Sequence, residues 1–484
     1  MLERRELATE VLVVGSGGAG LRAAVEAAER GRAVILVSKI GEDRPNSTAV
    51  IAGWGAQVAA DNAECYFRMV VQEGGYLSDQ ELAWQYACEV AERMPELRRF
   101  GVSMRLAECP LERPGTRREL WFFDGPRGRL GDAIRIPLRE AAREHGVTIL
   151  DDVLVTRLLT AEAGVAGATA LDLGAGDLFV ISAKAVVLAT GGASGLYARQ
   201  NNPAGTTGDG YALAYRAGAE LMDMEFDTFM TSHQELESLF AGQLSDEDAL
   251  STAGAHYSCG GIRVDLGRRS TVPGLYAAGE VAGGTFGAAR LGGSAVGDII
   301  VSGYLAGRSA AEAAGCIPEM EPHPDQVSGE EERLVTLVRG DGIRARSLLE
   351  QIRQVMWQQI GPVRRDASLR SGLEQLRALR AEADLVSART ARDLRDAVEL
   401  DLMLDVGEVI ATTALERCES RGNHWRLDYR EPDNAGWLRN LIVRRAADGS
   451  PETRARQTAL TRITDVGPCR IGSAWSGGYV GSRP

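Results

Sequence analysis

Residues 11–20 read Val-Leu-Val-Val-Gly-Ser-Gly-Gly-Ala-Gly. The run Val11–Val14 is short, apolar and unbroken, the pattern of a strand buried on both faces. Gly15, Gly17 and Gly20 then set out a G-x-G-x-x-G, with Gly18 inside it. An Ala-rich helical stretch follows to Gly31, and a second strand runs from Ala33 to Val37. Strand, glycine turn, helix and strand make the dinucleotide-binding unit, which seats a pyrophosphate on the helix N-terminus. A glycine pattern alone also fits a plain tight turn; its place between two strands makes the reading specific. The acid that ordinarily takes the ribose hydroxyls is missing. The second strand ends in Ser38-Lys39, so Ser38 is the substitute, which weighs against a nicotinamide dinucleotide.

A second glycine-rich stretch lies far away, from Gly274 to Asp298. Its glycines come in clusters, and backbone without Cβ atoms approaches a large ligand closely. A helical pattern (Ala295, Ile299, Ile300, Gly303) follows at once, so the positive end of that helix points at whatever is bound. A flat, electron-accepting ring suits such a place.

Four further blocks are Ala189-Thr190-Gly191-Gly192, Thr207-Gly208-Asp209-Gly210, Asp223-Met224-Glu225-Phe226 and His256-Tyr257-Ser258-Cys259-Gly260-Gly261. Glu419-Ser420-Arg421-Gly422-Asn423-His424 is another. With these five, the 274–298 stretch and Ser38-Lys39, the chain resembles the FAD-dependent flavoproteins of the succinate dehydrogenase/fumarate reductase/L-aspartate oxidase family over nearly its full length. The resemblance implies an α/β fold: a two-dinucleotide-binding-type (Rossmann-like) FAD domain with a C-terminal helical bundle domain. The expected division is 1–232 and 256–325 for the two parts of the FAD domain, 233–255 for a vestigial cap, 326–466 for the helical domain and 467–484 for an extended tail.

The same resemblance implies the cofactor site. Ala189, Thr190 and Gly191 form the second flavin-approach loop, and Glu280 takes the ribityl hydroxyls. Ser294 bonds the flavin edge, caps the next helix, or does both; Asp209 either caps its helix or touches the cofactor. Ser47, Thr48 and Gly53 belong to a segment that lies beside the flavin in the family. Membrane-complex relatives carry there a histidine joined covalently to the flavin, but this chain has no histidine before His145. The expectation is non-covalent FAD.

On the substrate side, Arg290 matches the arginine that grips a carboxylate in relatives, and a guanidinium offers a bidentate fork. His256 matches a second carboxylate-contacting group, able to hydrogen-bond or carry a proton. The chain also departs from the family. Relatives have a strand ending Phe-His-Pro-Thr, then a cap domain, then an arginine that delivers a proton. Here Phe229 is followed by Met230-Thr231-Ser232, and no Arg or Lys occurs from Ala217 to Ile262. A self-standing domain takes roughly 50 residues or more, so the cap is missing or reduced. His233 is the candidate stand-in for the lost histidine, against the plainer reading of a surface loop histidine. Phe286, where relatives often carry histidine, makes the pocket more apolar.

Bulk properties bound the rest. At 484 residues the chain holds more than one domain. A net charge of −13 argues against nucleic acid. No run approaches a membrane span and no signal peptide is visible, so a cytoplasmic protein is expected. Seven cysteines without a C-x-x-C make an iron–sulfur or zinc site in this chain unexpected; reduced, mostly buried thiols are the default, and Cys259 reads as a packed small hydrophobe rather than a redox thiol. Arg421, His424 and Arg426 form a basic cluster read as an interdomain salt-bridge node.

The reading is an FAD-dependent oxidoreductase moving a hydride between flavin N5 and a small carboxylate- or carbonyl-bearing substrate, anionic by the logic of Arg290, and not a standard fumarate reductase. Two alternatives stand beside it: an amino-acid or amine oxidase like L-aspartate oxidase, and a flavin-binding electron-transfer subunit without substrate chemistry. A partner subunit serving as lid or electron acceptor, and a homo-oligomer, both stay open.

Overall fold

The computed structural model describes residues 3–44, 57–58, 63–108, 119–125, 129–230, 253–318, 320–339 and 341–469. Strand β1 (Arg4–Val14) buries all of Val11–Val14 and leads through the glycine turn into α1 (Gly18–Glu29). It pairs in parallel with β2 (Val34–Ser38), Val14 opposite Val37, and on its other side with β9 (Leu178–Leu188), Val14 opposite Leu188. β6 (Thr148–Asp151) extends the sheet beyond β2. The upper end of β9 takes β14 (Leu275–Ala277) in parallel. Its lower end takes the antiparallel meander of β8 (Gly164–Asp172) and β7 (Val153–Ala161). The parallel order β6-β2-β1-β9-β14 puts the topological switch between β1 and β9, and ligands bind in the crevice outside the carboxyl ends at such a point.

Helix α6 (Ala295–Ala314) follows β14 and packs along α1. Gly303 and Gly307 let the two backbones touch: a Cβ at either would lie 2.6 Å from the Ala19 carbonyl oxygen or 2.4 Å from that of Ala23. The other helices of this half are α2 (Ala63–Glu73), α3 (Gln80–Glu96), α4 (Asp132–Glu144) and α5 (Asp209–Arg216). A small sheet of β3 (Gln57–Val58), β5 (Glu119–Phe123) and β4 (Met104–Glu108) flanks them. β11 (Asp227–Met230) and β12 (Gly254–Ser258) pair antiparallel, Met230 opposite Gly254. Most of the expected cap segment, with His233, lies outside the described residues.

The second half contains α7 (Pro324–Arg339), α8 (Ala345–Val355), α9 (Asp366–Ala383) and α10 (Ala391–Glu416). The expected stripes are buried: Leu348, Ile352 and Val355 on α8, Leu369 and Leu376 on α9, and the apolar positions from Leu400 to Ala414 on α10. A Thr390–Asp393 capping box opens α10. The region 326–466 is nevertheless not all helix. After the single turn α11 (Asn434–Trp437), β15 (Arg439–Arg445) and β16 (Pro451–Gln457) form a hairpin. β15 pairs with β10 (Leu221–Met222), whose other neighbour is β13 (Gly261–Ile262), so the C-terminal half returns to the first. Leu441-Ile442-Val443 is the buried run that drives this pairing, and its partner lies more than 200 residues away in sequence, beyond the reach of local periodicity. The tail is also corrected in part: the Cys469 sulfur packs between Gly75 and Arg421. No disulfide joins the described cysteines, and only Cys259 among them is buried, which revises the expectation of mostly buried thiols.

Candidate functional site

The crevice at the switch point is a cleft of about 890 Å³, within the ~300–1,000 Å³ usual for small-molecule and cofactor sites. Gly15 adopts φ +111, and a Cβ there would sit 2.3 Å from the Ala189 carbonyl oxygen; at Gly20 it would sit 1.8 Å from that of Gly15. The first contact locks the β1 turn against the β9 turn. The second holds α1 against β1, so its N-terminus opens onto the cleft. No side chain caps α1 and its first turn carries no acid, which leaves its positive end for an anionic ligand.

Gly15, Gly17, Gly18, Ser38, Lys39, Ala189, Thr190, Gly191, Asp209 and Glu280 all line this one cleft. Thr190 Oγ1 is buried without a hydrogen-bond partner, and Gly191, at φ +78, has no protein atom near its Cβ position. An orphaned hydroxyl beside open backbone is what a bound dinucleotide would complete, so the residues fit the cofactor. Ser38 Oγ shares a 2.7 Å hydrogen bond with Ser16 Oγ and donates to the Ile40 carbonyl at 2.9 Å, placing both hydroxyls where a ribose would be met. Sequence reasoning missed Val153–Val155, Gly205 and Thr206 on the opposite wall; Gly205-Thr206, immediately before Thr207-Gly208-Asp209, carried a signal.

Lys39 is not a free cation in the cleft. Its Nζ lies 2.6 Å from Asp209 Oδ2 and 3.1 Å from Glu399 Oε1, and it donates to Thr207 Oγ1 at 2.5 Å. Burial alone would lower its pKa, but the two carboxylates outweigh that and raise it. Asp209, which opens α5 after Gly208, does not cap its helix with its side chain; it pairs with Lys39. Glu399 comes from α10, so this ion pair ties the helical half to the cofactor wall.

Glu280 follows β14 on the cleft wall. Its Oε1 accepts the Ser258 N–H at 2.9 Å, and burial pushes its pKa up to about 7 against the Ser258 bond and the charge of Arg290. Ser294 does neither thing expected of it within the protein: its Oγ donates to the Leu291 carbonyl at 2.5 Å, and it makes no side-chain cap. A bent backbone at Ser294, φ −87 and ψ −13, keeps the hydroxyl from the helix amides. Ser47, Thr48 and Gly53 lie outside the described residues.

Arg290 stacks on Tyr257, with Cζ 4.3 Å from the ring centre. Nη1 donates to the Leu291 carbonyl at 3.1 Å, while Nε is buried without a partner. Among the described residues no carboxylate stands within 4.0 Å of it. His256 Nδ1 lies 3.0 Å from Asn201 Oδ1; burial and then the Arg290 charge lower its pKa to about 4, so it is neutral at physiological pH. Tyr257 and Phe286 are buried edge to face at 6.3 Å, an apolar wall beside the guanidinium. Cys259 is buried against Thr228 and Asn423, and burial lifts its thiol to about 11, the behaviour of a packed residue.

The Arg421 cluster lies apart from the cleft and is wholly buried. Arg421 holds Glu419 at 2.7 and 2.9 Å and reaches across to the Gly75 carbonyl at 2.8 Å. Arg426 grips Asp428. His424 Nδ1 accepts from Arg364 at 2.6 Å, and burial keeps it neutral.

Cleft and fold together define an FAD-dependent oxidoreductase. The sequence profile described as FAD binding domain matches residues 10–236 and 232–296, and that described as Fumarate reductase flavoprotein C-term matches 349–470. The chain belongs to the FAD flavoprotein family of fumarate reductases, succinate dehydrogenases and L-aspartate oxidases. It is 27% identical to the flavoprotein-family polypeptide of the fumarate reductase (CoM/CoB) of Methanothermobacter marburgensis, over 90% of this chain and 97% of that one. It is 28% identical to an L-aspartate oxidase of Streptomyces coelicolor, over 90% and 92%. Among solved structures, Mycobacterium smegmatis Sdh1 superposes with a TM-score of 0.84 at 26% identity, covering 95% of this chain and 96% of that one. No helix among the described residues is long and apolar enough to cross a membrane.

Proposed function

We propose that this chain transfers a hydride between its FAD and a small carboxylate- or carbonyl-bearing substrate, by a route other than that of a standard fumarate reductase. One observation carries the reading: the Arg290 guanidinium lies over Tyr257 with no carboxylate in ion-pair range among the described residues. Its charge is therefore available to an anionic group, and its fork orients that group in one plane. His256, neutral, offers a hydrogen bond rather than a second positive charge; a pKa near 4 makes it a poor proton donor at neutral pH. Tyr257 and Phe286 exclude water from one side. Bound FAD supplies the hydride-exchanging centre.

The departure from standard fumarate reduction is supported by the chain's own length. The match to the FAD-domain profile splits at residues 232–236, where the family's cap would be inserted. The alignment to the Methanothermobacter relative runs over 537 positions, while 90% of this chain is only about 436 residues; some 100 positions of the relative thus have no counterpart here. Without the cap there is no arginine in the place from which relatives protonate, and a pocket without its lid loses the stronger electrostatics of a water-free site. Several relatives are named as subunits, which supports a partner as lid or electron acceptor, in a cytoplasmic setting.

The test is anaerobic mixing of the FAD-loaded protein with single members of a metabolite panel, followed by flavin absorbance. Bleaching by a carboxylate-bearing reductant is expected. Bleaching by amino acids, with peroxide released in air, would favour the oxidase reading that the Streptomyces relative suggests. No bleaching by any member, with electrons accepted readily from a partner protein, would favour the electron-transfer reading.

A further inference from the structure

Two carboxyl groups meet at Ser258. Its N–H donates to Glu280 Oε1 at 2.9 Å on the cleft wall. Its hydroxyl bonds Asp227 Oδ1 at 2.8 Å, behind that wall. The register explains the meeting, since Asp227 on β11 stands opposite Ser258 on β12. The second Asp227 oxygen takes the Tyr197 hydroxyl at 2.7 Å. Asp227, Ser258 and Tyr197 are 3, 5 and 1% exposed.

Neither carboxyl has a Lys, Arg or His within 4.0 Å among the described residues. The groups that face them are known. Asp227 is met by Tyr197 and Ser258, with Arg364 at longer range. Glu280 feels Arg290, and against it Asp227 and Asp298; the Tyr211 hydroxyl donates to its backbone carbonyl at 3.0 Å. Two like charges bridged by one residue, in a site poor in cations, do not both ionise near neutrality.

We propose that Asp227 and Glu280, joined through Ser258, hold one proton between them and take up a second when the bound flavin is reduced. The hydrogen bonds allow it. Serine and tyrosine hydroxyls accept as readily as they donate, so Asp227 gains a proton without losing either contact. The Ser258 amide can only donate, which leaves Glu280 Oε2 as the protonated atom on that side. Reduction by two electrons and one proton adds a negative charge to the cleft that Glu280 lines. That charge raises the proton affinity of the pair, which draws one proton from solvent. The balance is two electrons and one proton to the flavin, and one proton to the carboxyl pair. Burial raises the proton affinity of both groups in the same direction.

The proposal rests on FAD occupying the cleft, which flavin content settles beforehand. The experiment is a spectroelectrochemical titration of the flavin midpoint potential between about pH 5.5 and 8.5, on the FAD-loaded wild type, Asp227→Asn and Ser258→Ala. The wild type is expected to fall with pH, over part of that range, twice as steeply as one proton per two electrons requires; both variants are expected to return to the single slope. A single slope throughout in the wild type overturns the proposal whether or not the variants fold. A double slope that survives in both variants overturns it too, because the second proton would then lie elsewhere.

Discussion

Replacing Lys39 by Met tests how the helical half is fastened to the cofactor wall. The Lys39 side chain is 12% exposed, and those of Asp209 and Glu399 are 7% exposed each, so solvent screens these pairs little. Removing one partner of a buried ion pair leaves the others uncompensated and costs about 3–5 kcal/mol. Unfolding entropy of ~2.1 cal/mol/K per residue gives about 1 kcal/mol/K for 484 residues. The melting temperature should therefore drop by ~3–5 °C. The double variant Lys39→Met/Glu399→Gln should recover part of the loss, because it removes one stranded charge, with a coupling of about 0.5–3 kcal/mol. The pH dependence has a defined sign. Glu399 is lowered, burial being outweighed by Lys39 and Arg395, so its share of stability exists above the ordinary carboxylate pKa and disappears as pH falls through the folded value. Lys39 is raised, so its share persists until pH passes the ordinary lysine range. The gap between wild type and Lys39→Met should be full from about pH 5 to 10 and narrow in acid. Differential scanning calorimetry reads each quantity. A variant melting within a degree of wild type, with no recovery in the double variant, would refute the argument.

Gly15→Ala combines a left-handed φ with a Cβ 2.3 Å from the Ala189 carbonyl; it should leave a folded or partly folded chain with little bound FAD, read by flavin absorbance after reconstitution. Arg290→Gln should keep FAD yet weaken an anionic substrate by ~10–150-fold, the equivalent of the 1.5–3 kcal/mol of a charged hydrogen bond, seen as a rise in KM. Acid precipitation of the holoprotein should release all flavin to the supernatant, since no histidine precedes His145; flavin remaining in the pellet would contradict non-covalent binding.

The parallel sheet and cofactor cleft were legible because their signals are local. Val11–Val14 is bounded by glycines that only a tight turn explains, and Gly15 and Gly20 touch backbone within a few residues or one strand away. The second flavin loop was legible by resemblance and stands across the switch point. Side-chain partners were not legible. Lys39 read as a cofactor contact, but its neighbours Asp209 and Glu399 come from 170 and 360 positions further on. Asp227 carried no sequence signal, because its meaning depends on the β11–β12 register. The β15 strand was hidden for the same reason, and Ser294 was misjudged because a cap depends on backbone angles that residue type does not fix.

The most direct measurement is an experimental structure of the FAD-loaded protein with an anionic substrate or substrate analogue bound. The account requires the isoalloxazine between the 189–191 turn and the 279–294 stretch, with the Arg290 guanidinium on the substrate's carboxylate or carbonyl. A structure in which the flavin lies elsewhere, or in which Arg290 points away from the bound molecule, would contradict it.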